Sequence, residues 1–73
     1  MRKRELEQPA VYLVRVAGEV NLIWSGWLGG MTIIPQPDGD SLLMGTVADQ
    51  ATLHGVLAKL HDLELSLLSV HRL

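Results

Sequence analysis

Cysteine is absent from the 73-residue chain. Disulfides are therefore excluded, and the commonest structural zinc ligands are missing. Positive charge is scarce: of six Lys and Arg residues, none lies between Arg15 and Lys59. With a net charge of −2 the chain has no electrostatic footprint for nucleic acid. Charge of either sign is missing from Val20 to Pro37, a run long enough to span a bilayer on length alone. Asn21, Gly26, Gly29, Gly30, Pro35, Gln36 and Pro37 interrupt it too often for a stable spanning helix. The basic start Met1-Arg2-Lys3-Arg4 is followed by Glu5, Glu7 and Pro9 instead of the apolar run of a signal peptide. The expectation is a cytoplasmic protein with neither a nucleic-acid nor a membrane partner.

What is present is apolar. Hydrophobic residues make up 48% of the chain, a high share for a body with so large a surface-to-volume ratio. A single domain of this size buries only about 60% of its unfolded surface and is marginal alone. Without staples, self-association is the simplest way to cover the remaining apolar surface. A homo-oligomer is expected, and a protein partner is possible.

The longest legible element runs from Asp49. Leu53, Val56, Leu57, Leu60 and Leu63 recur at steps of three and four, the stripe of an amphipathic helix, with Asp49 placed as its N-cap. Beyond Leu63 the period changes to two, which predicts a strand over Leu65 to His71. Upstream, Val11 to Val16 reads as a strand whose Tyr12, Val14 and Val16 face the helix, while Arg15 leaves the other face partly wet. Asn21 and Gly29-Gly30 bracket a two-turn helix, Leu22 to Leu28, with Trp24, Trp27 and Leu28 on one side; Gly26 leaves a loop open as the alternative. Met31–Ile34 and Ser41–Val47 form a hairpin about Pro37-Asp38-Gly39-Asp40, and Gly45 marks a bulge or a close backbone approach.

The predicted organisation is a frayed tail over residues 1–9 and one α+β domain over 10–73. The order strand, short helix, strand, strand, long helix, strand is that of a ferredoxin-like split βαβ, with an antiparallel sheet and helices on one face. If the tryptophan stretch is a loop, the alternative is a three-stranded meander plus one long helix and a fourth strand. Either version leaves one sheet face bare, with Val11, Leu13, Thr32, Ile34, Leu43 and Leu67 expected on it.

Three stretches together carry a resemblance: W-x-x-W-x-G-G at Trp24–Gly30, V-A-D-Q-A-x-L-H-G-x-L-A-K at Val47–Lys59, and D-L-x-L-x-L-L-S-V at Asp62–Val70. In these the chain resembles a family of short, stand-alone, uncharacterised bacterial proteins. The resemblance covers nearly everything after Val11 and implies no activity. Where that family tends to be polar before the tryptophans, often Asp-Pro-Arg, this chain has Asn21-Leu22-Ile23.

Chemistry is hard to find in the residues. His54 and His61 are seven apart, about 10.5 Å along a helix, whereas metal pairs on helices use a spacing of three or four. Asp38 and Asp40 suit a turn, and Asp62 and Glu64 a solvated helix end. The serines lack an identifiable base, and Gly29-Gly30 precedes a strand rather than opening a phosphate-binding helix. No catalytic residue, metal or cofactor is assigned. The candidates for an interface or ligand are Trp24, Trp27, Ile23, Leu28 and His54, since tryptophan either caps a small core or anchors a partner. Three readings follow: a non-enzymatic interaction or regulatory module acting as a homo-oligomer, a ligand-sensing domain with a small molecule at the subunit interface, or a small dimeric ferredoxin-like enzyme with His54 as base.

Overall fold

The computed structural model describes residues 8–73. The expected tail lies mostly outside the described residues; Gln8 and Pro9 are exposed and lead into the first strand. Four strands form one antiparallel sheet: β1 (Ala10–Ala17), β2 (Thr32–Pro35), β3 (Ser41–Val47) and β4 (Ser66–Arg72), in the order β2-β3-β1-β4. Among the described residues there is one α-helix, α1 (Gln50–Asp62). The architecture is α+β.

β1 borders β3 and β4 and never touches β2, so the meander alternative is wrong. The expected two-turn helix over Leu22–Leu28 is also replaced. Only Leu22–Trp24 winds, as a 3-10 turn capped by the Asn21 side chain, which accepts the Ile23 N–H at 3.1 Å. Looser turns carry the chain onward, and Gly30 N–H closes back on the Ser25 carbonyl at 2.8 Å. One such turn closes from the Leu28 N–H to the Trp24 carbonyl at 2.9 Å, and Gly29 and Gly30, with positive φ of 79° and 76°, end it. The bracketing signals were right; the piece between them is shorter than its caps suggested.

Helix α1 buries three of the five residues of its stripe. Leu53, Val56 and Leu60 are buried, whereas Leu57 and Leu63 are half-buried. Val56 and Leu60, with Leu57 beside them, join the cluster of Val14 and Val16 of β1, Leu43 of β3, Ile33 of β2 and, between strands, Val20, Leu28 and Met31. The Asp49 carboxylate accepts both the N–H and the hydroxyl of Thr52 at 2.8 Å. These bonds favour the ionised form and hold the Asp49 carboxyl below its ordinary value of 3.8. A native pKa lower than the unfolded one gives stability that is present above the unfolded value and is lost as pH falls through the native value. Asp49→Asn therefore has a melting temperature less sensitive to acid below pH 3.8 than the parent's, measured by thermal melts in acid buffers.

Gly45 is a close approach, not a bulge. A Cβ built there would sit 3.3 Å from both the Cα and the Cγ of Met31, while the pairing of β1 with β3 runs through it without a shift. The sheet's irregularity is instead on β4, where Arg15 pairs with Ser69 but Val16 with Leu67, leaving Leu68 as the extra residue.

The face expected to lie bare needs two corrections. Leu43 is fully buried opposite Val14, and Leu67 pairs with Val16 on the helix side of the sheet, although it is half exposed. The bare face is made of Val11, Leu13, Thr32 and Ile34, as expected, together with Leu42 and Met44.

Candidate functional site

The bare face is built from cross-strand rows. Thr32, Met44, Leu13 and His71 stand side by side in one, and Ile34, Leu42, Arg15 and Ser69 in the next. Val11 and Met44 are each 38% exposed, and Leu13, Leu42 and Ile34 are half-buried. Its one cation, Arg15, is held at the hairpin end. The guanidinium donates to Asp38 and to Asp40, the latter at 3.1 Å from Nη2 and 3.2 Å from Nε. Asp38 also accepts the Asp40 N–H at 3.0 Å, so the turn that joins β2 to β3 positions both carboxylates. This pairing draws the charge to one end and leaves the middle of the face apolar.

The tryptophan segment lies on the helix side. Its candidate residues divide by depth. Leu28 is fully buried and belongs to the core, so it offers no surface to a partner. Trp24 is half-buried against that core. Trp27, 40% exposed, lies 5.4 Å from it between ring centroids at a 56° tilt. Ile23 is 75% exposed, with Leu22 beside it at 61%. Leu22 follows the capping Asn21 and points away from the core because the 3-10 turn presents only Trp24 inward.

Lys59, distant in sequence, meets this segment through the fold. Its ammonium donates to the Trp27 carbonyl at 2.8 Å and lies 5.6 Å from the Trp27 ring centroid. A basic neighbour for the tryptophans thus exists, where sequence adjacency gave none. One cation already bonded to backbone makes a clamp, not a groove for a phosphate chain. Lys59→Met, which keeps the aliphatic stem, is expected to cost about 0.5–1 kcal/mol. It should also shift Trp27 fluorescence; urea titration followed by tryptophan emission measures both.

His54 is exposed on α1, and its Nε2 lies 2.7 Å from the Gln50 amide nitrogen one turn earlier. The structure does not join it to the tryptophan pair through any hydrogen bond among the described residues. His61 lines a different feature, an open groove of about 740 Å³ between the end of α1 and the start of β4, together with Leu57, Leu60, Asp62 and Glu64. Among the described residues no group of three or more His, Asp or Glu is arranged to hold a metal ion. Nor is any helix there long and apolar enough to cross a membrane.

The helix end beside that groove is unusual. Leu65 N–H returns to the Leu60 carbonyl at 3.1 Å, and Glu64 N–H to the His61 carbonyl at 2.9 Å. This closure puts Glu64 at φ 60°, a left-handed conformation normally given to glycine or asparagine. The residues alone place Glu64 at a solvated helix end and carry no sign of its left-handed backbone.

No curated protein matches the chain, and neither does any solved structure. A family model does match, over residues 11–71, from the second residue of β1 to the next-to-last of β4, so that it reaches every element described above. With that span matched, the chain belongs to the family described as a domain of unknown function, DUF8691.

Proposed function

We propose that this protein is a non-enzymatic interaction module that works in the cytoplasm as a homo-oligomer. The observation that carries the reading is the bare face of the sheet. Val11, Leu13, Ile34, Leu42 and Met44 line it without a second layer among the described residues. A sheet that is apolar on both sides needs cover on both sides. Exposed apolar surface is worth roughly 25 cal/mol for each square ångström that can be buried. Association costs are of similar size to the gain from such a patch, so rigidity and self-complementarity decide the outcome in favour of the assembly.

The fold supports the same reading. Its strand order, with every neighbouring pair antiparallel, fits a ferredoxin-like split βαβ whose first helix has shrunk to a 3-10 turn. The shortened crossover and the one α-helix among the described residues leave a face of the sheet uncovered. Trp27 and Ile23, exposed on the opposite side, supply a second patch through which an assembled module could hold a protein partner.

Sedimentation at about 10 µM tests the reading, since that concentration populates micromolar and tighter complexes. The expected result is a species of at least twice the 8.0 kDa chain mass. A folded monomer of 8.0 kDa at that concentration would refute it.

A further inference from the structure

The two edges of the sheet differ in what their backbones offer. β2 is short, and its outer side is blunted. Gln36 N–H donates to the Asp40 carbonyl at 2.8 Å; by alternation Ile34 and Thr32 also turn their backbones toward β3, and Ile33 and Pro35 turn outward. Proline has no N–H, so one of those two outward donors is missing. β4 has no proline, and its one irregularity is the bulge at Leu68. Leu73 N–H donates to the Val11 carbonyl at 2.8 Å, and the same alternation turns the N–H and C=O of Val70 and Arg72 away from β1. Among the described residues no strand lies beyond β4. Its first five residues, Ser66-Leu67-Leu68-Ser69-Val70, include neither charge nor proline, and Leu67 and Leu68 are 48% and 52% exposed. An edge of this kind is a template for another strand.

The charges on either side of β4 indicate which strand. Asp62 and Glu64 stand just before it, and His71 and Arg72 end it. A strand laid antiparallel on β4 meets an acidic start with its own end, and β4 itself has the basic end required. We propose that the copies of this protein are joined along β4, each strand pairing antiparallel with its counterpart across a two-fold axis near Leu68 and Ser69. About that axis Arg72 comes beside the partner subunit's Leu65 and next to the partner subunit's Glu64, and symmetry makes the contact twice. An axis that relates antiparallel neighbours stands perpendicular to the sheet. The two bare faces therefore lie on the same side of one eight-stranded sheet; the edge pairing does not cover them and draws on backbone bonds and the Arg72–Glu64 contacts instead.

This inference rests on the homo-oligomer reading and is separable from it by experiment. The variants are Leu68→Lys and Arg72→Glu on the edge, and Glu64→Arg combined with Arg72→Glu. Sedimentation over a micromolar concentration series gives the association constant, and hydrogen exchange followed by NMR gives the state of individual amides. Leu68→Lys and Arg72→Glu are each expected to weaken association about tenfold, and the double charge reversal to regain most of that loss. In the parent, the amides of Val70 and Arg72 should exchange more slowly as concentration rises, while that of His71, which faces β1, stays constant. If the parent associates but both edge variants associate equally well, and the Val70 and Arg72 amides exchange at rates independent of concentration, the edge pairing is wrong and the oligomer stands on another surface. A parent that is monomeric throughout the series overturns both.

Discussion

Leu60→Ala is expected to destabilise the protein by about 2–5 kcal/mol, the largest loss available from a single side chain of α1. Leu60 is 1% exposed and, with Val56, joins the helix to Val14, Val16 and Leu43 in one cluster. Truncation there removes the transfer energy of its methyl groups and leaves a cavity that a short helix over a rigid sheet cannot close. Leu57, one turn earlier, belongs to the same sequence stripe but is only half-buried beside the groove at the helix end. Leu57→Ala should therefore cost clearly less than Leu60→Ala. Marginal stability makes the contrast easy to read: a domain of this length holds about 5–10 kcal/mol in total, and each kilocalorie moves the melting temperature by roughly 4–8 °C. Equal losses for the two variants would mean that the helix face is rotated from the one described.

That contrast marks how far periodicity reaches. The stripe gave α1 its face because a helix reports burial through five positions at once, and Asp49 fixed its start through a short-range bond. Strand faces were less legible. In β3 the run Leu42-Leu43-Met44 is apolar at every position, so a period of two cannot say which member points inward. The decision is made by the turn, where Gln36 pairs with Asp40 and sets Ile33 opposite Leu43. A shift of one residue exchanges the two faces, which is how Leu43 came to be expected outside. The tryptophan segment failed differently. Asn21 and Gly29-Gly30 mark where a helix could begin and end, but they do not say whether the residues between them wind evenly, and Gly26 weakens that winding.

The candidate surfaces were legible only in their composition. An apolar surplus on a short chain is visible in the residue counts, and so is the concentration of both tryptophans within four residues. The pairings that shape the surfaces are not. Lys59 reaches Trp27 across 32 positions, and Arg15 reaches Asp38 and Asp40 across 23 and 25. Charge attraction is not specific enough to choose such partners before the sheet order is known. Leu28 was grouped with Trp24 and Trp27 by helical spacing, and the turn separates them, sending Leu28 into the core and Trp27 to the surface.

Ser41→Ala should cost about 1–3 kcal/mol although it removes a single oxygen, because that oxygen is the partner of a buried donor. Ser41 is fully buried at the start of β3. Its hydroxyl donates to the Gly18 carbonyl at 2.9 Å and accepts the Val20 N–H at 3.1 Å. The two bonds tie the chain leaving β1 to the first residue of β3, and Val20 is itself buried, 3% exposed. With alanine in place the Val20 amide has no partner and little access to water. Replacement by threonine keeps the hydroxyl but adds a methyl group at a site with no spare volume, so Ser41→Thr should fall between alanine and the parent. The readout is denaturant unfolding at fixed protein concentration, with the exchange rate of the Val20 amide as the local probe. Faster exchange at Val20 in Ser41→Ala, beyond what the global loss accounts for, is the expected signature of an opened β1–β3 junction. If both substitutions change stability by less than about half a kilocalorie, the hydroxyl is not what holds that junction closed.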